Sequence, residues 1–92
     1  MSTEPTPPPE SNKMEASLST LILSIASTAA MAMGLAPNPA TNKTEKNMEM
    51  ARFNIDLLMV LQKKTKNNLD SEEVKFLESV IRDLQLKYIQ QQ

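Results

Sequence analysis

Cysteine and histidine are both absent from this chain of 92 residues. Without cysteine there is no disulfide and no thiolate nucleophile, and the redox compartment stays open. Without histidine the commonest general base is missing, and zinc sites that lack both residues are rare. Glycine occurs once, at Gly34, so no glycine-rich phosphate loop can form. The aromatics are only Phe53, Phe76 and Tyr88, too few for a base-stacking surface. Scarce glycine and aromatics also argue against a β-sandwich or barrel. Charge of either sign is not in excess, with 10 Lys and Arg against 11 Asp and Glu, whereas a dedicated nucleic-acid binder is strongly basic. The expectations are no metal, no cofactor, no nucleic-acid partner, no catalytic residue and a non-enzymatic protein.

What is present is a run without charge. Ala16 to Ala36 reads ASLSTLILSIASTAAMAMGLA. Such a segment calls for burial in a core, an oligomer or a membrane. Before it, residues 1–14 are polar, proline-rich and slightly acidic, a composition that predicts a disordered tail. No aromatic or basic anchor flanks the prolines to make a docking motif. A signal peptide is disfavoured, because Glu4, Glu10 and Glu15 precede the apolar run where a basic start is needed.

Residues 15–92 are expected to form an all-α domain of three helices, at about 15–34, 44–66 and 70–90. The first ends at Gly34 in a left-handed conformation, and Pro37 and Pro39 forbid continuation. On a wheel of 100° per residue, Leu18, Leu21, Ile22, Ile25, Ala26, Ala29 and Met33 share a broad face. Ser17, Thr20, Ser24, Ser27 and Thr28 gather opposite. APNPATNKT is a linker of turn residues. The second helix starts near Thr44 or Glu45, with Glu49 early and Lys63, Lys64 and Lys66 at its end, as its dipole favours. Met48, Ala51, Ile55 and Leu58 form one apolar stripe, and Leu57, Val60 and Leu61 add a second; from Ile55 to Leu61 only Asp56 is polar, so this half is expected to be covered on two sides. Arg52 and Asp56 stand four apart and can pair. In LDSEEV, Asp70 and Glu73 have the spacing of a capping box, flanked by Leu69 and Val74 as a hydrophobic staple. Val74, Leu77, Ile81, Leu84 and Tyr88 then follow in a single stripe.

Among candidate sites, Lys63, Lys64 and Lys66 form the only compact charge feature and a weak anion-site candidate. Helix-end cations favoured by the dipole are the simpler account. Asp70, Glu72 and Glu73 lack the ligand count and turn glycine of a calcium loop. The seven methionines suit core filling better than a binding groove or soft-metal ligands. Asp56 lies in an apolar run, where burial could desolvate it, but no second acid is placed beside it.

Three stretches, MGLAPNP (33–39), ARFNIDLLMVLQKKTKNNLDSEE (51–73) and FLESVIRDLQLKYI (76–89), resemble the bacterial domain-of-unknown-function 1844 family. IDLL and KTKNNL are the most specific parts. Asn67 stands where the family pattern usually has glycine, and Asn is the best non-glycine residue for a left-handed backbone. The resemblance implies an all-helical bacterial protein and supplies no catalytic or binding residue.

About 75 ordered residues make a thin core, near the size at which oligomerisation adds stability. Two partner helices cover about half the circumference of the first, and its remaining face lacks the Lys and Glu of a solvated helix. The leading reading is a cytoplasmic, self-associating interaction or scaffold module that forms a homo-oligomer, with room for an unidentified protein partner. The self-association face is placed on Ser17, Thr20, Ser24, Ser27 and Thr28, with Leu21, Ile22 and Ile25 packing inward. The alternative is a membrane-associated protein using residues 16–36 as its segment. Six hydroxyl residues in that run and the lack of Trp or Tyr at its edges weigh against it.

Overall fold

The computed structural model describes residues 16–92. The expected disordered tail at 1–14 lies outside the described residues. Three helices follow in order: α1 (Leu18–Ala32), α2 (Met48–Lys64) and α3 (Ser71–Gln91). Among the described residues there is no strand, only two isolated backbone bridges, Met33 with Lys46 and Asn38 with Lys43. The fold is all-α with three helices, as the sequence predicts.

Ser17 caps α1, its hydroxyl accepting the Thr20 N–H at 3.2 Å. A short polar side chain there satisfies an amide that has no partner within the helix. The other end closes in a Schellman turn. Gly34 donates to the Met31 carbonyl and Leu35 to the Ala30 carbonyl, both at 3.0 Å, with Gly34 at φ +80°. A residue without Cβ adopts this conformation freely. The uncharged run therefore yields a helix of 15 residues. No helix among the described residues is long and apolar enough to cross a membrane. Use of residues 16–36 as a spanning segment is not met, because the helix stops at Ala32 and the chain turns away.

The linker is ordered by its own polar atoms. Asn38 donates its N–H to the Lys43 carbonyl at 2.8 Å, while its side chain accepts from Ala40 at 2.8 Å. Lys46 then bridges to Met33, and the Asn47 N–H donates to the Ala32 carbonyl at 2.7 Å. These bonds commit the linker's backbone to the end of α1. Hence α2 begins at Met48 and not near residue 44, capped by Asn47, whose side chain accepts from Met50 at 3.1 Å.

Between α2 and α3 the chain reverses through Asn67 at φ +72°, the left-handed turn expected there. The capping box is complete: Asp70 accepts the Glu73 N–H at 2.8 Å, and Glu73 accepts the Asp70 N–H at 3.0 Å.

Three residues from each segment build the core: Ile22, Ala29 and Met33; Ala51, Ile55 and Leu58; Leu77, Ile81 and Leu84. Ala29 and Ala51 are wholly buried, small residues that let α1 and α2 approach closely. The end of α1 is tied to the start of α2, and the two helices pack on one another. One correction concerns Leu21, which is exposed although the wheel puts it on the broad inner face. It lies 100° from Ile22, beyond the reach of two partner helices.

Candidate functional site

Helix α2 is apolar on two sides, and only one is covered. Ala51, Ile55 and Leu58 face the core beside a buried Asn54, whose amide nitrogen donates to the Met50 carbonyl at 2.9 Å. Roughly 130° around the helix runs a second stripe that the fold leaves open. Met50, Phe53, Leu57 and Val60 are 45, 56, 37 and 52% exposed. Their spacings of three, four and three hold them on one face. The expectation that this half of α2 is covered on two sides is thus not met within one chain. The stripe has charged ends, Glu49 in the first turn and Lys63 and Lys64 in the last.

Helix α1 borders this stripe. Thr28 and Met31 share a cleft of about 190 Å³ with Asn47 and Met50. Leu21, seven residues before Thr28, lies on the same face two turns away. Ser17, Ser24, Ser27 and Thr28 are exposed, and Thr20 is half-buried. Their hydroxyls bond locally: Ser17 with Thr20 at 3.0 Å, and Thr28 to the Ser24 carbonyl at 3.1 Å. With three of the five hydroxyls bonded inside the helix and no charge between Leu18 and Ala32, this side is weakly polar. Together the two helices present a face of hydroxyls and large apolar side chains.

The lysine cluster is divided. Lys63 and Lys66 border a groove of about 600 Å³ with Asn67, Leu69, Val74, Leu77 and Glu78. Lys64 is not in its lining and lies in line with Phe53, Leu57 and Val60. The groove carries Glu78 as well as two cations, next to the carbonyl end of α2, so its charge is mixed. Leu69 and Val74, the expected staple, both border it.

The carboxylates are occupied structurally or exposed. Asp70 and Glu73 serve the cap. Asp56, with a 57% exposed side chain, stands 4.0 Å from Arg52, so burial does not desolvate it. Among the described residues no group of three His, Cys, Asp or Glu could hold a metal ion. Met33 fills the core, whereas Met50 and Met59 are exposed, so core filling accounts for only some of the methionines. Met50 and Phe53 are the residues that sequence reasoning missed. Their spacing to Leu57 and Val60 was the available signal.

A family model described as Domain of unknown function (DUF1844) matches residues 15–90, from just before α1 to the last turn of α3. No curated protein and no solved structure gives a match.

Proposed function

The chain belongs to the family described as Domain of unknown function (DUF1844), and from that premise we propose a small non-enzymatic helical module that self-associates. The contact face is the outer stripe of α2, with Ser17, Thr20, Ser24, Ser27 and Thr28 of α1 as its polar flank. The observation that carries this reading is Phe53, a large aromatic more than half exposed in the middle of an apolar stripe. Single exposed apolar residues are ordinary, but a contiguous patch points to a contact surface. Met50, Phe53, Leu57, Val60 and Leu21 together expose roughly 450 Å² of surface, taking about 200 Å² for each residue when fully open. A standard interface buries about 800 Å² per partner, of which some 57–65% is apolar. The surface that these five residues expose is of the size of the apolar part of one such interface. The cytoplasm is the compartment that suits this role.

Light scattering on the purified chain tests the proposal. The wild type should have a mass that is a multiple of 10.3 kDa, and Phe53→Glu should fall to the monomer while keeping its helical circular dichroism. A wild type that is monomeric at tens of micromolar overturns the reading.

A further inference from the structure

Resting on that self-association, we propose that the second copy docks about a two-fold axis beside Leu57, with α2 packed antiparallel on α2. The stripe is bounded by Glu49 in the first turn and by Lys64 in the last. Over these positions the helix rises about 22 Å, ample for a helix-on-helix contact. A two-fold contact is self-complementary: if residue i meets j, then j meets i. With the axis between Asp56 and Leu57, it sets Phe53 against Val60 and Glu49 against Lys64, and brings Leu57 within about 1.5 Å along the helix of its own copy. Large faces small at the Phe53 position, and opposite charges meet at both ends. The parallel arrangement would instead set Glu49 beside Glu49 and Lys64 beside Lys64. Like charges across a contact select against a partner orientation, so the charge order of the stripe chooses the antiparallel one.

The chain lacks cysteine, so an introduced thiol reports one position alone. Under mild oxidation, or with a short thiol–thiol cross-linker, Leu57→Cys should form a covalent dimer. Phe53→Cys should not link to itself, but it should link when mixed with Val60→Cys. Glu49→Lys should weaken the dimer several-fold in sedimentation equilibrium, and Glu49→Lys with Lys64→Glu should recover it. A wild type that is dimeric by mass while Leu57→Cys stays uncoupled overturns the axis and leaves self-association standing. So does Phe53→Cys linking to itself, or Ser24→Cys linking in place of Leu57→Cys. A monomeric wild type overturns both the axis and the reading it rests on.

Discussion

The backbone N–H of Asn47 donates to the carbonyl of Ala32 at 2.7 Å, which joins the first residue outside α2 to the last residue of α1. That carbonyl is one of the four at a helix end without an intrahelical partner. The bond satisfies it and fixes the offset between the two helices, so that Ala29 and Ala51 are both buried and Met50 comes beside Thr28 and Met31. Asn47 also caps α2 through its side chain. Asn47→Ala keeps the backbone bond and loses the cap, and should cost about 1 kcal/mol in urea unfolding. Asn47→Ser should restore most of it. An alanine variant as stable as the wild type would show that α2 does not depend on this cap.

Gly34 sits at φ +80°, and a Cβ built there would come no closer than 3.7 Å to the Lys46 side chain. Space is therefore ordinary and backbone conformation is the whole difficulty. Gly34→Ala should destabilise by about 1–2 kcal/mol, with Gly34→Asn milder. A loss much larger than this in a denaturant melt would mean that packing against Lys46 also matters.

Much of this fold was legible. Gly34 and the Asp70–Glu73 pair each have a local mechanism tied to their own residue type and position, and the turn at Asn67 followed from the family resemblance. The start of α2 was not legible, because Glu45 and Thr44 look like good helix openers by themselves. Backbone bonds from Lys46 and Asn47 to the end of α1 override that preference, and no local pattern encodes them. The candidate face was half legible. The uncharged side of α1 announces itself by what it lacks. On α2 an apolar stripe reads the same whether a neighbour covers it or not, and only the position of α1 and α3 reveals that Phe53 is left open.

The reciprocal bonds of Asp70 and Glu73 satisfy two backbone amides at the start of α3. Asp70→Ala should cost about 0.5–2 kcal/mol, and Asp70→Ser, which keeps an acceptor, much less. Neither should alter the mass of the assembly at concentrations where it is folded. An unchanged thermal midpoint for the alanine variant would contradict the cap as the starting point of α3.

Ser24 separates two meanings of the hydroxyl side of α1. It is exposed in the single chain, and its carbonyl receives the Thr28 hydroxyl, so nothing within the chain requires a small residue there. Substitution at such a surface position usually changes stability by no more than about 0.5 kcal/mol. Ser24→Lys should therefore leave the folded monomer nearly as stable as before, with unchanged helical signal. Against a second copy the outcome differs. A lysine on the flank of a close contact either props the helices apart or loses its water without a partner. The expected result is a mass that falls to the monomer, or a protein that becomes insoluble as its apolar stripe is left open. The control is Ser27→Lys, on the same helix but turned further from the α2 stripe, which should disturb the assembly less. If Ser24→Lys stays soluble with the wild-type mass, then α1 takes no part in the contact and the stripe of α2 must make it alone.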